Sequence, residues 1–260
     1  MPGTRIYFVA DVHLGLKAGD PAERERRFVS WLKGLPVEET AALYLLGDIW
    51  DFWYEYRDVV PREGARVVAE LIRLMDAGVD VVFFPGNHDI WCYSFFESLG
   101  IRKLEQPQYL QLEGKNFLLG HGDALGGAPF GYKLMLKIFH CRFLQRCFST
   151  LHPWFAFRFG TDWSNSNRRK HGGYKFKGEE EPLYRFCLEY NRRTAPAGYI
   201  RGSAPNRQDE VIGIDYFIFG HFHDSVDLTL PGGGRLIVLK DWIAGGEHYA
   251  CFDGEQLTVV

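Results

Sequence analysis

The chain has 260 residues, 46% of them hydrophobic and 24% charged, with a formal net charge of −3. That is room for one sizeable core or at most two small domains, in proportions ordinary for a globular protein. No apolar run reaches the roughly 18 residues of a membrane-spanning helix, the start shows no signal-peptide pattern, and the five cysteines form no Cys-x-x-Cys pair. A disulfide framework and a thiolate metal site are therefore not expected, and the odd, scattered set suits a reducing compartment, so a cytoplasmic location is expected.

In chain order, Arg5 to Ala10 reads as a strand rich in β-branched and aromatic residues. It ends in Asp11-Val12-His13. Residues two apart in an extended segment point to one side, so a carboxylate and an imidazole face one point. Asp20-Pro21-Ala22-Glu23 carries the marks of a helix start, and the helix should run to about Leu35. Its Arg24, Arg26 and Arg27 read as a solvated face.

Ala41 to Leu46 is the second strand and ends in Gly47-Asp48-Ile49-Trp50-Asp51. Asp48 has two oxygens and could bridge two cations, while Asp51 would orient a ligand. An amphipathic helix over Pro61 to Ala77 closes at Gly78, and an apolar run from Val81 delivers Gly86-Asn87-His88-Asp89. A short helix over Ser94 to Leu99 follows. Tyr109–Leu112 and Asn116–Leu119 form a hairpin whose second strand ends in Gly120-His121-Gly122-Asp123.

From Ala124 to Lys177 the character changes. Ten Lys/Arg face a single acid, Asp162, so this block carries +9 and the remainder −12. Such asymmetry points to an anionic partner: phosphate, nucleic acid or a lipid headgroup. Tyr132 to Phe148 reads as one helix. Pro153 to Phe159 is unusually apolar, and Trp163-Ser164-Asn165-Ser166-Asn167-Arg168-Arg169-Lys170 is rich in donors for anionic oxygens. The block is either an extra helical pair packed on the core or a lid with aromatics for acyl chains and cations for phosphate.

Glu179-Glu180-Glu181-Pro182 opens the next helix, Ala195 to Gln208 is loop-like, and Ile214 to Phe219 is a strand ending in Gly220-His221-Phe222-His223. Two hairpins close the chain, around Pro231-Gly232-Gly233-Gly234 and around Asp253-Gly254. His140, His152, His171 and His248 lack a strand-end context and read as surface or structural residues.

Each strand-end motif alone has a bland reading as a turn, an N-cap or chance neighbours. Five of them together supply two Asp, one Asn and four His at the ends of strands, where ligands bind in α/β sheets. That set can hold two metals of mixed nitrogen and oxygen ligation with open positions for water and substrate.

In order and spacing, the motifs from Asp11 to His223 resemble the calcineurin-like metallophosphoesterase superfamily. The resemblance implies an α/β chain folded as a four-layer αββα sandwich, a single domain over residues 1–260 with an inserted helical cap at 125–178. It implies two divalent ions. One would sit on Asp11, His13, Asp48 and His223, the other on Asp48, Asn87, His121 and His221, with Asp48 bridging. Asp48, Asn87 and His88 would be the catalytic set, with His88 contacting the phosphate or assisting the leaving group. Two cations roughly 3.5–4 Å apart suit an in-line displacement at phosphorus. The resemblance favours Mn; Fe, Co or Zn also match the ligand types.

Within the superfamily the chain is most similar to the UDP-2,3-diacylglucosamine pyrophosphohydrolase family of lipid A biosynthesis. The similarity includes the insertion after the His121 motif, the Leu151-His152-Pro153-Trp154-Phe155 run and the donor-rich stretch after it. It implies hydrolysis of the pyrophosphate of an amphipathic nucleotide-sugar lipid, by a protein peripheral on the cytoplasmic face of the inner membrane. Substrate contacts are then expected from Asn87, His88, Ser164, Arg168, Arg169, Lys170 and His221. Three places depart from that family's pattern: His88 stands where Arg is usual, the stretch after Asp123 lacks the acids expected there, and Lys240 stands where a small residue is usual before Asp241-Trp242. The alternatives are another metallophosphoesterase acting on a nucleotide, a phosphodiester or nucleic acid, and a non-catalytic scaffold. The apolar Pro153–Phe159 run argues against an open nucleic-acid groove, and a scaffold has no need of all seven ligands.

Overall fold

The structure, a computed structural model, describes residues 3–170, 175–192 and 213–260, with the side chains of 165–170 and 192 outside the description. The expected loop at 195–208 and His171 fall outside it.

β1 (Arg5–Val9), α1 (Pro21–Gly34), β2 (Thr40–Leu45), α2 (Ala65–Asp76), β3 (Asp80–Phe83), α3 (Phe95–Ser98) and β4 (Arg102–Lys103) form the first half. β5 (Gln108–Leu112) and β6 (Lys115–Leu119) lead into α4 (Phe130–His140), α5 (Arg142–Ser149), α6 (Pro153–Lys170) and α7 (Pro182–Arg192). β7 (Tyr216–Phe219), β8 (Val226–Thr229), β9 (Arg235–Val238), β10 (Ala250–Phe252) and β11 (Leu257–Val259) complete the chain. The described strands make a six-stranded sheet ordered β11-β10-β1-β2-β3-β4 and a five-stranded sheet ordered β5-β6-β7-β9-β8. β1 to β4 are mutually parallel, as are β6, β7 and β9. These seven strands form one parallel set in each sheet, and β1, β2, β3, β6 and β7 end at a common rim.

The four layers follow from the period of two along each strand. Ile6, Phe8, Tyr44, Leu46, Val82 and Phe84 face Phe117, Leu119, Ile218 and Ile237 across the two sheets. Their neighbours Tyr7, Val9, Leu43, Leu45, Val81 and Phe83 point the other way, onto Phe28, Trp31 and Leu32 of α1 and Val67, Leu71 and Leu74 of α2. On the far side, Leu118, Phe217, Phe219, Leu236 and Val238 meet Leu183, Tyr184 and Cys187 of α7. A one-residue slip in any of these strands would exchange its two apolar faces.

Most expected elements are present, with differences that have local causes. Asp20 caps α1, accepting from the Glu23 amide at 3.0 Å. The helix expected from Pro61 begins only at Ala65, because Gly64 turns the chain through φ +78° against the Trp50 indole. The helix expected over Tyr132 to Phe148 breaks at Cys141, which is extended at φ −70°, ψ 106°. The Phe139 carbonyl at the break accepts from Trp91 Nε1 at 2.9 Å and Gln145 Nε2 at 2.6 Å, which satisfies a helix-end acceptor and fixes the corner. α6 runs straight through the donor-rich 163–170 stretch.

Arg24 is a correction. It is 1% exposed, not part of a solvated face. Its Nη2 donates to the carbonyls of His13 at 2.9 Å and Leu16 at 2.5 Å, and its Nη1 to that of Ala18 at 3.0 Å. The loop after β1 is thus wrapped around one guanidinium. Helical periodicity marked the side of α1 that Arg24 shares, but the burial comes from a loop that covers it. Arg27 likewise reaches the Trp242 carbonyl at 2.5 Å. Arg24→Met would strip three carbonyls of their charged donor and should destabilise the fold by about 3 kcal/mol. A urea unfolding midpoint unchanged from wild type would contradict this role.

Candidate metal centre

The rim where the parallel strands end gathers every one of the seven expected ligands. Asp11 and His13 leave β1, Asp48 leaves β2, Asn87 and His88 follow β3, His121 follows β6, and His221 and His223 follow β7. Seven described non-glycine residues have positive φ, and five of them are Asp11, His13, Asp48, His221 and His223. Left-handed backbone costs about 1–3 kcal/mol at such residues and persists where surrounding structure holds it. Here it turns each side chain back over the sheet edge.

Asp48 lies at the middle. Its Oδ2 is 3.3 Å from His121 Nε2, 3.8 Å from His13 Nε2 and 4.0 Å from His88 Nε2, and its Oδ1 accepts from the His88 amide at 2.8 Å. Asp11 Oδ1 is 3.5 Å from His13 Nε2 and 3.8 Å from His223 Nε2. Asp11 Oδ2 accepts from the His221 amide at 2.7 Å, which ties the two sheets together. Asn87 Oδ1 is 3.3 Å from His121 Nε2, and the His121 and His221 rings lie 5.1 Å apart at a steep angle. Potential ligand atoms fall into an Asp11–His13–His223 group, an Asp48–His121–His221 group and a third group of His13, Asp51 and His88, each within 4.8 Å.

The outer atoms of the rings are fixed. His121 Nδ1 faces the Leu46 carbonyl at 2.9 Å and must carry a hydrogen, since a carbonyl can only accept. That directs Nε2 inward. His223 Nδ1 is 2.9 Å from Asp241 Oδ2, and His13 Nδ1 is 3.2 Å from Asp51 Oδ1, the carboxylate–imidazole pairing that orients ligating histidines. Asp89, fully buried, accepts from the amides of Gly86, Asp48, Ile49 and Trp50. It pins the Asp48 turn to the Asn87 turn, and burial beside the Asp48 charge pushes its own carboxyl up to about 7.

The residues present fit a pair of cations. Asp11 Oδ1 is buried with no hydrogen-bond partner, an expensive state that a bound cation would relieve. Burial works against charge on both Asp48 and His121. Their mutual attraction overrides it, holding the Asp48 carboxyl below and the His121 imidazole well above its ordinary range. His221 is pushed down to about 3 by burial and then by the neighbouring imidazoles, so its ring is neutral at pH 7. Gly86 and Gly220 leave no room for a side chain: a Cβ on Gly86 would collide with Asp48, and one on Gly220 would lie 2.6 Å from the Ala10 Cβ.

The substrate contacts expected from the sequence are less uniformly placed. His88 is held by an Nδ1 hydrogen bond to the Asp51 carbonyl at 2.8 Å, with its side chain 15% exposed on the open side. Ser164, expected as an open polar contact, is 1% exposed, and its hydroxyl donates to Asp51 Oδ1 at 2.9 Å. The side chains of Arg168, Arg169 and Lys170 lie outside the described residues. Asp89 and Asp241 were not singled out as site residues. Asp241 had a readable signal, a carboxylate three residues beyond the end of another rim strand, β9.

The sequence profile of calcineurin-like phosphoesterases matches residues 4–225. The chain belongs to that family. Curated relatives named UDP-2,3-diacylglucosamine hydrolase match most of the chain, and three of them illustrate the similarity. The protein from Porphyromonas gingivalis is 32% identical over 98% of this chain and 97% of its own length. That from Neisseria gonorrhoeae is 36% identical over 91% and 89%, and that from Aeromonas salmonicida 28% over 96% and 90%. The geometry of this phosphoesterase site agrees with the family's dependence on divalent metal ions, and the two ligand groups above could hold them.

A cation ligated by His121 Nε2 would have to displace the proton that the neighbouring Asp48 carboxylate favours there by raising the His121 pKa. Affinity for Mn2+ should therefore rise with pH through the neutral range, and binding should release protons. Titration calorimetry in two buffers of different ionisation enthalpy measures this; pH-independent affinity without proton release would contradict the arrangement.

Proposed function

We infer that the protein is a metal-dependent hydrolase that cleaves the pyrophosphate of UDP-2,3-diacylglucosamine to UMP and 2,3-diacylglucosamine 1-phosphate. The observation that carries this reading is a phosphoesterase centre lying beside an apolar groove flanked by cations. The groove, of about 670 Å³, runs between α6 and the 59–63 loop and includes Asp51 in its lining. Leu14, Phe52, Val60, Trp154, Phe157 and Arg158 are among its walls. A substrate that joins a diphosphate to two acyl chains needs both features. Near full-length similarity to curated UDP-2,3-diacylglucosamine hydrolases supports the same substrate.

The geometry supports the residue roles that the family resemblance implies. Asp11, His13, Asp48 and His223 would hold one cation, and Asp48, Asn87, His121 and His221 the other. When bound, such a pair supplies the positive charge that acidifies a water nucleophile and neutralises the phosphoryl oxygens. Mn is the favoured metal. Asp48 keeps the two ligand groups in register, and the Leu46 carbonyl, Asp51 and Asp241 hold three rings with Nε2 inward. His88 keeps Nδ1 on the Asp51 carbonyl, which leaves Nε2 for the substrate; the doubly protonated ring would donate from it to a phosphoryl or leaving-group oxygen. Arg168, Arg169 and Lys170 are proposed to complement the substrate phosphates.

Residues 125–178 form the cap of a single domain in this reading. Nine of the thirteen exposed large hydrophobic residues described lie between Phe130 and Phe159, among them Phe143, Trp154 and Phe155. No described helix is long and apolar enough to cross a membrane. Exposed aromatics beside Lys133, Lys137, Arg142 and Arg146 suit peripheral contact with the cytoplasmic face of the inner membrane.

The test is product analysis. With Mn2+ and UDP-2,3-diacylglucosamine, the wild-type protein should release UMP, and Asp48→Ala should lower the rate at least about 100-fold, the scale for losing one key electrostatic group. Joint replacement of Trp154 and Phe155 by Ser should slow the lipid reaction while sparing a small chromogenic phosphodiester. No UMP from the wild type, with the phosphodiester still cleaved, would reject the substrate and retain the hydrolase.

A further inference from the structure

The cap and the metal centre meet at one buried hydrogen bond. Ser164 stands on α6, 113 residues from Asp51 in sequence, and its hydroxyl donates to Asp51 Oδ1 at 2.9 Å. The same oxygen is 3.2 Å from His13 Nδ1. The Asp51 main-chain carbonyl accepts from His88 Nδ1 at 2.8 Å, and the Asp51 amide donates to the Leu14 carbonyl at 3.0 Å. Ser164 and Asp51 are 1% and 2% exposed. Asp51 therefore touches the cap helix on one side and two imidazoles of the centre on the other.

The surroundings fix α6 against this point. Phe157, Gly160 and Ser164 share one helical face. A Cβ on Gly160 would overlap the Phe52 ring, and the Phe157 and Phe52 rings lie 6.4 Å apart. Two residues further on, the Tyr54 hydroxyl is 2.7 Å from the Gln145 carbonyl and 2.6 Å from the Ser149 hydroxyl on α5. The segment from Asp51 to Tyr54 is thus both the exit from the Asp48 turn and the seat of the cap.

We propose that Ser164 is a positioning residue: seated on Asp51, it couples the placement of α6 to the orientation of the His13 imidazole. This rests on the reading of His13 as a metal ligand. Donation from Ser164 holds Asp51 Oδ1 in the rotamer that faces His13 Nδ1. That contact keeps Nδ1 protonated and Nε2 directed toward Asp11 and Asp48. A cap that is displaced loses the bond and loosens one ligand of one cation, while the Asn87, His121 and His221 side of the centre is untouched.

The experiment compares Mn2+ binding to the full-length wild type, Ser164→Ala, Ser164→Thr and His13→Ala, followed by paramagnetic resonance of free Mn2+. Turnover of a small phosphodiester is followed in parallel. Wild type should bind two ions. Ser164→Ala should weaken one of them about tenfold, the lower end of the effect of outer ligand partners, and lower kcat with KM for the small ester unchanged. Ser164→Thr keeps a hydroxyl and should restore both. A merely structural role would move thermal stability without splitting the two sites, and that result overturns the proposal. So does a Ser164→Ala protein with wild-type Mn2+ binding and a raised KM for the lipid substrate alone, which would make Ser164 a direct substrate contact. Retention of both ions by His13→Ala would reject the ligand reading and the coupling together; loss of one ion there, with Ser164→Ala unaffected, would reject the coupling alone.

Discussion

The structure depends on holding one buried carboxylate among imidazoles. Asp48 is 1% exposed and has three histidine Nε2 atoms within 4.0 Å of one oxygen. Burying such a charge is costly unless it is paired and hydrogen-bonded. The chain meets the cost from several directions at once. The His88 amide donates to Oδ1, His121 Nε2 lies 3.3 Å from Oδ2, and Asp89 gathers four amides so that the two flanking turns cannot separate. A Cβ on Gly47 would lie 2.6 Å from His121 Nδ1, so even the strand exit is constrained by the carboxylate it leads to.

That constraint explains why two sheets are needed. The first sheet brings Asp11, His13, Asp48, Asn87 and His88 to the rim, and the second brings His121, His221 and His223. Neither half has a complete ligand set. Period-two burial packs the sheets face to face, and two rim bonds then lock them: the His221 amide to the Asp11 carboxylate and the Trp242 amide to the Asp11 carbonyl. α5 and α6 rest on the loop that leaves Asp48, so the apolar groove and the charged centre share Asp51 as a common wall.

The sequence carried the parts of this centre that are local. An apolar run followed at once by Asp, Asn or His, with glycine at the exit, is legible because strand, turn and donor type occur within a few residues. The resemblance to a known family then assigned the ligands their groups. The supporting residues were not legible, since their roles exist only across the fold. Arg24 reads as a surface residue of an amphipathic helix until the Ala18 loop closes over it. Ser164 reads as a solvent-facing donor until α6 is laid on Phe52. The break at Cys141 depends on Trp91, 50 residues away, and no helical periodicity could announce it.

The central claim is that Asp48 bridges two cations held by two ligand groups. The most direct measurement is the anomalous scattering of manganese in crystals grown with Mn2+. Two peaks about 3.5–4 Å apart, one toward Asp11, His13 and His223 and one toward Asn87, His121 and His221, with the Asp48 carboxylate between them, are the predicted result. A single peak, or peaks that leave Asp48 uncoordinated, would contradict the account.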